Sequence, residues 1–159
     1  MADISASLVK ELRDETGVGM MECKKALVET GGDKEAAIKK LREAGMQMAA
    51  KKASRTAKQG IIAASVAPDA QSGRMIEVNC ETDFVTKNDL FQSFVAELLR
   101  EAEGLADDTI GDACKSKVEA KIAEIGENLV ARRNLTYQVQ GTGAVAAYVH
   151  LGGKLGVMV

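Results

Sequence analysis

Residues 76–88 read I-E-V-N-C-E-T-D-F-V-T-K-N, and the architecture turns on their pattern. The first half alternates as a half-buried strand does, with Ile76, Val78 and Cys80 on one face and Glu77, Asn79 and Glu81 on the other. The alternation stops at Glu81-Thr82-Asp83-Phe84-Val85. Asn88 then stands as the N-cap of a helix whose apolar stripe is Phe91, Phe94, Val95, Leu98 and Ala102. An acid and a large aromatic therefore sit side by side where a strand passes into a helix. Connections of this kind often carry function on a rigid scaffold. Two structural uses compete with that reading: Asp83 bonding its own turn, and Phe84 serving as one more core residue.

Upstream, residues 4–15 read as an amphipathic helix, with Ile4, Leu8 and Leu12 stepping by one turn and Val9 beside them. Gly17-Val18-Gly19 breaks it. A second helix runs from about Met20 to Thr30, with Met20, Cys23 and Leu27 on one face, and Gly31-Gly32 stops it. Asp33 is the expected N-cap of a third, with Ala37, Ile38 and Leu41 inside. Residues 1–45 thus form a three-helix module, near the lower size limit for independent folding. Met20 and Met21, after the turn, either form an adaptable contact surface or divide between core and solvent. Residues 46–59, with Lys51-Lys52, Arg55 and Lys58 among alanines, read as a basic linker, helical or frayed.

From Gly60 the period changes from helix to strand. Gly60–Ala67 and Arg74–Cys80 pair as a hairpin around Pro68-Asp69 and Ser72-Gly73. Downstream of the Phe91 helix, Asp107 or Asp108 precedes a helical stretch with Ile110, Cys114, Val118, Ile122 and Ile125 on one face. Gly126-Glu127-Asn128 ends it. Leu129 to Val139 alternates, placing Leu129, Ala131, Leu135, Tyr137 and Val139 against Arg132, Asn134, Thr136 and Gln138. Gly141-Thr142-Gly143 turns the chain back into a strand with Val145, Ala147 and Val149 inside. Gly152-Gly153 turns it again toward Leu155, Val157 and Met158. The expected fold is α+β: a three-helix bundle, then a mainly antiparallel sheet over residues 60–159 with helices packed on one face.

Composition narrows the function. The chain has 159 residues, 46% of them hydrophobic, enough for a real core; with 3% aromatics that core is mostly aliphatic. A net charge of -2 gives no basis for phosphate-backbone binding, and the basic linker has no aromatic residues for base stacking, so nucleic acid is not an expected partner. No apolar run reaches the ~20 residues of a membrane span. The start, Met1-Ala2-Asp3-Ile4, lacks a secretory signal pattern. Cys23, Cys80 and Cys114 have no metal-ligand spacing and read as buried free thiols of a cytoplasmic protein. His150 is the only histidine, with no Cys or Ser near it in sequence, so catalysis is not expected; Asp107-Asp108 suits a helix cap better than a general acid–base pair. There is no Gly-x-x-x-x-Gly-Lys-Ser/Thr loop, hence no expectation of direct nucleotide binding, and no cofactor or metal is called for.

The stretch Leu8-Val9-Lys10-Glu11-Leu12-Arg13, followed by Thr16-Gly17-Val18-Gly19-Met20-Met21-Glu22-Cys23-Lys24-Lys25-Ala26-Leu27, resembles the opening of the bacterial translation elongation factor Ts family. The resemblance continues at Gly32-Asp33, Ala37-Ile38 and Leu41-Arg42, and returns at Glu77 through Val85, the family's second signature. It recurs at Ile125-Gly126-Glu127-Asn128, Arg132-Arg133 and Tyr148-Val149-His150. The resemblance implies a non-catalytic guanine-nucleotide exchange factor for the GTPase elongation factor Tu, with a first module similar to a ubiquitin-associated domain. It implies that Thr82-Asp83-Phe84-Val85 is presented to the partner, with Phe84 as a wedge near the magnesium site and Asp83 competing for hydrogen bonds there. Leu12, Met20, Met21, Ile125, Gly126 and His150 also fall where the family makes partner contacts. The family continues past this length with a second core subdomain and a coiled-coil insertion. The apolar strand at Val157-Met158-Val159 accordingly reads as a shortened chain, or as a sheet edge completed by a homodimer. The competing function is a general protein- or RNA-interaction module built on the three-helix bundle alone.

Overall fold

In the computed structural model, which describes residues 4–159, the chain divides into two units. The signal-sequence reading of Met1–Asp3 lies outside the described residues. The first unit holds residues up to Ser54 together with Glu119–Gly126; the second holds Arg55–Val118 and Glu127–Val159.

The first unit is built on α1 (Ala6–Thr16), α2 (Met20–Glu29) and α3 (Lys34–Lys52). Ser5 caps α1 by accepting from the Leu8 amide at 3.2 Å. Gly17 ends α1 at φ 69°, where its amide reaches Arg13 O at 2.8 Å, a left-handed cap that glycine adopts without a Cβ penalty. Asp33 caps α3 through the Ala36 amide at 3.0 Å, as its position predicts. The core is Val9, Leu12, Cys23, Ala26, Leu27 and Ala37, with Ile4, Leu8, Val18, Ile38 and Leu41 packed around it.

Helix α3 is longer than a short third helix. It runs without a break through residues 46–52, where a linker is expected. Its Gly45 and Ala49 are buried, and a Cβ on Gly45 would meet Ala123 Cβ at 3.4 Å. Small residues thus let the helical residues 119–125 approach closely. The Lys52 ammonium donates to Gly126 O, satisfying a carbonyl past the end of that segment. The basic run here has a structural use that composition alone does not show.

The second unit contains β1 (Gln59–Val66), β2 (Ser72–Cys80), α4 (Asp83–Thr86), α5 (Asp89–Glu101), α6 (Ile110–Ala113), β3 (Leu129–Gln138), β4 (Ala147–His150) and β5 (Leu155–Met158); α7 (Lys115–Ile125) starts in it. Strands β1, β2 and β3 form an antiparallel sheet in that order, with Ile61 opposite Val78 and Val78 opposite Ala131. Helix α5 lies against β1 and β2, and α6 against β3. All five residues of the α5 stripe, Phe91, Phe94, Val95, Leu98 and Ala102, are buried, as are Ile76, Val78 and Cys80.

The sheet is not a single layer of five strands. β4 and β5 pair only with each other in a separate two-stranded sheet. That hairpin lies over the other face of β1–β3, where Met75, Val145 and Met158 are buried with Ile62, Ala64, Val66, Leu135 and Val139. Ile62 N donates to Gly153 O at 2.7 Å, and a Cβ on Gly156 would meet Ile62 Cγ2 at 2.5 Å, so only glycine allows this approach. Val145 is inside as expected, but Ala147 and Val149 are exposed, because the hairpin lies flat on the sheet instead of extending it.

The alternation expected along β3 also fails midway. The register slips at Glu77/Val78, where Glu77 opposes Arg133 and Val78 opposes Ala131, so Arg132 is an extra residue. Such a bulge reverses the face of everything beyond it. Leu129 and Ala131 are buried toward the helices; past the bulge that face carries Asn134, 2% exposed, while Leu135 packs on the opposite side and Tyr137 is exposed.

Asn134 then does what Asp107 or Asp108 is expected to do. Its Oδ1 accepts from the Thr109 and Ile110 amides at 3.0 and 2.9 Å, capping α6 from the neighbouring strand, and its Nδ2 donates to Ala106 O. Asp107 accepts from the Thr136 amide at 2.8 Å instead, and Asp108 takes a left-handed conformation at φ 61°. The Asp107 carboxylate thus serves the chain's own backbone. The expected single helix from Ile110 to Ile125 breaks at Cys114 into α6 and α7.

Candidate functional site

The end of β2 builds the site. Cys80 is fully buried, and its thiol donates to Thr82 O at 3.2 Å, bending the chain out of the strand. Burial, helped by the nearby Glu127 carboxylate, pushes the Cys80 thiol up to about 11. A neutral thiol suits a structural role, not a nucleophilic one. Because the folded value lies above the ordinary 9.0, the unfolded chain ionises first. The contribution of Cys80 to stability is therefore complete below pH 9.0 and is lost as pH rises toward about 11. A series of urea midpoints across that window checks it: Cys80→Ala should flatten the alkaline decline, and an equal decline in both proteins would exclude this thiol as its source.

Helix α4 is a single turn. Thr82 stands at its N-cap with φ -122°, ψ 156°, but its side chain does not cap the helix. The hydroxyl instead donates to Glu127 Oε1 at 2.6 Å. Glu127 Oε2 accepts from the Glu81 and Thr82 amides at 3.1 and 3.0 Å. The arrangement is reciprocal: Glu81 Oε1 accepts from the Asn128 amide at 2.6 Å, and Asn128 Nδ2 donates to Arg55 O at 2.7 Å. On the far side of the turn, Val85 and Thr86 are buried, Thr86 Oγ1 donates to Asp83 O, and Gln92 Nε2 donates to Thr86 O. Asn88 caps α5 through the Leu90 amide at 2.8 Å.

Between these anchors Phe84 projects into solvent, 79% exposed, the most exposed large apolar side chain among the described residues. This settles the choice between core residue and exposed aromatic. Asp83 is half exposed and forms a 3.6 Å ion pair with Lys87 one turn on, a surface pair of little strength that a competing donor can replace. The bends at both ends are fixed by bonds and burial while the tip is bare. That combination displays an aromatic at low conformational cost.

The other candidate residues are dispersed. Leu12 is 0% exposed in the core of the first unit, so its side chain cannot meet a partner while the bundle is intact. Met20 and Met21 are both exposed at the start of α2, which decides against placing either in the core. Ile125 is half-buried at the end of α7, and Gly126 follows it at φ 84° with open space around it. His150 is exposed on β4, sharing a 2.7 Å hydrogen bond with the Tyr148 hydroxyl, the two rings stacked at 5.5 Å. Thr82, Asp83, Phe84 and Val85 are the group that the structure brings together. Sequence reasoning did not assign Glu127 a role here; it lies 45 residues from Thr82, beyond any local pattern.

A sequence family described as "Elongation factor TS" matches residues 81–159, which begin at the first residue of this turn. The "Elongation factor Ts" of Helicobacter hepaticus is 47% identical, aligned over 100% of this chain and 47% of that protein. Along its whole length the chain resembles elongation factor Ts. The same-named proteins of Symbiobacterium thermophilum, 44% identical over 100% of this chain and 53% of theirs, and of Clostridium perfringens, 47% identical over 98% and 54%, agree. The chain spans about half the length of the curated relatives it matches. The matched residues 81–159 lie in the second unit apart from Glu119–Gly126, which belong to the first. Among the described residues, no three His, Cys, Asp or Glu side chains are grouped to hold a metal ion, and no helix is long and apolar enough to cross a membrane.

Proposed function

We propose that the chain is a guanine-nucleotide exchange factor that binds elongation factor Tu in the cytoplasm and promotes GDP release without covalent chemistry. The observation that carries this reading is the 79% exposure of Phe84 at the tip of a turn held at both ends. An aromatic supplies a large apolar area in a rigid shape, so its burial in a partner contributes about 1.5–3 kcal/mol. Asp83 beside it offers a carboxylate whose present ion pair is weak.

The physics of exchange asks for little more. A GTPase holds GDP through magnesium and through backbone amides around the phosphates. A wedge that favours the distorted, magnesium-free pocket must weaken nucleotide binding by the same coupling free energy, because linkage is reciprocal. Phe84 acts as the wedge and Asp83 competes for hydrogen bonds near the magnesium site. Met20 and Met21 on α2, exposed in the first unit, supply a second contact, and Ile125, Gly126 and His150 lie at further positions of contact.

Calorimetric titration separates this from an interaction module that takes RNA. The chain should bind nucleotide-free elongation factor Tu more tightly than the GDP–magnesium form, and added GDP and magnesium should displace it. Binding that ignores both, and instead weakens steeply with salt on an RNA ligand, would favour the module reading.

A further inference from the structure

We infer that Glu127 is a positioning residue for Phe84, fixing the junction from which the aromatic projects; this rests on the exchange-factor reading above. A one-turn helix does not hold itself, because nucleation fixes several residues for one hydrogen bond. Nor does Phe84 hold the turn, since its side chain makes little contact with the chain. On the C-terminal side of Phe84 the turn is held by the burial of Val85 and Thr86. On the N-terminal side the Cys80 thiol reaches only Thr82 O, whereas Glu127 engages both the Glu81 and Thr82 amides and the Thr82 hydroxyl.

The chemistry of these partners fits a carboxylate. Two amides and a hydroxyl all donate, and an ionised carboxylate is the side chain that only accepts, with room for all three. An amide could keep the two backbone bonds on its oxygen, but its NH2 would force the Thr82 hydroxyl to turn and accept. The reciprocal Glu81-to-Asn128 bond keeps Glu127 in register with the turn, and Asn128, 5% exposed, is itself fixed through Arg55 O. Glu127 thus sits behind the display while Phe84 meets the partner.

Two readouts test it: amide hydrogen exchange in the free chain, and the maximal rate of GDP release from elongation factor Tu at saturating chain. Glu127→Ala should speed exchange of the Glu81 and Thr82 amides about tenfold or more, the loss of charge-assisted hydrogen bonds, and leave the α5 amides Val95 and Leu98 unchanged. It should lower the maximal release rate while binding of the partner changes less. Glu127→Gln should recover most of both. On a Phe84→Ala background, Glu127→Ala should cost nothing further, because a positioning residue has nothing left to position. Three results overturn the assignment: unchanged Glu81 and Thr82 protection, a rise across all amides together, or a full additional loss on the Phe84→Ala background. If the wild-type chain binds but does not accelerate release, the exchange-factor reading falls, and the amide protection alone decides whether Glu127 holds the turn. Should Glu127→Ala fail to fold, Thr82→Val is read in its place: loss of the hydroxyl bond to Glu127 should raise exchange of the amides at Glu81 and position 82, and no rise overturns the assignment.

Discussion

Phe84→Ala is expected to leave the fold intact and to abolish most of the proposed exchange activity. The side chain is 79% exposed, so its truncation removes little buried area and should move stability by no more than about 0.5 kcal/mol. A buried Phe lost from a core costs about 3–5 kcal/mol, so one urea titration separates the two cases. An aromatic anchor at the centre of an interface costs about 2 kcal/mol or more when truncated. At about 1.4 kcal/mol per factor of ten, stimulated GDP release should fall roughly 30-fold. A large loss of stability, or unchanged exchange, would each remove Phe84 from the role of wedge.

Leu12→Ala should give the opposite result. Leu12 is wholly buried among Val9, Cys23, Ala26 and Leu27, although the family resemblance places it with the contact residues. Truncating a buried leucine costs about 2–5 kcal/mol, through lost transfer energy and the cavity left behind. Small bundles have little to spare, so helicity of the first unit should melt early while the strands of the second unit survive longer. Far-ultraviolet circular dichroism with urea follows the first, and Cys80 alkylation the second. Any loss of partner binding should be recovered by conditions that restore the helices. Weakened binding with full stability would return Leu12 to the interface.

These two residues show what a sequence pattern carries and what it does not. Helical periodicity identifies Leu12 as inward-facing, and the structure agrees; a positional likeness to a contact residue cannot see burial. At α5 the signal was complete, because five apolar residues at helical spacing and a capping Asn are all local features. The strand before it was also legible, since Ile76, Val78 and Cys80 alternate as far as the turn. The exposure of Phe84 was not, because an aromatic after a strand fits core and surface equally well. β3 misled for a different reason. One extra residue at Arg132 leaves no mark in composition, yet it exchanges the faces beyond it and sends Asn134 inward to cap α6. The Glu127 clamp and the Asn134 cap both join residues more than twenty positions apart, and no window of sequence contains either pair. The flat packing of β4–β5 depends likewise on Gly156 meeting Ile62, a contact across the chain.

The most direct test of the exchange mechanism is release of a fluorescent GDP analogue from elongation factor Tu, followed by stopped flow at saturating concentrations of the wild-type and Phe84→Ala chains. Accelerated release by the wild type, lost in a folded and still-binding Phe84→Ala chain, is the predicted result. Release that stays at its spontaneous rate while the wild-type chain is bound would contradict it.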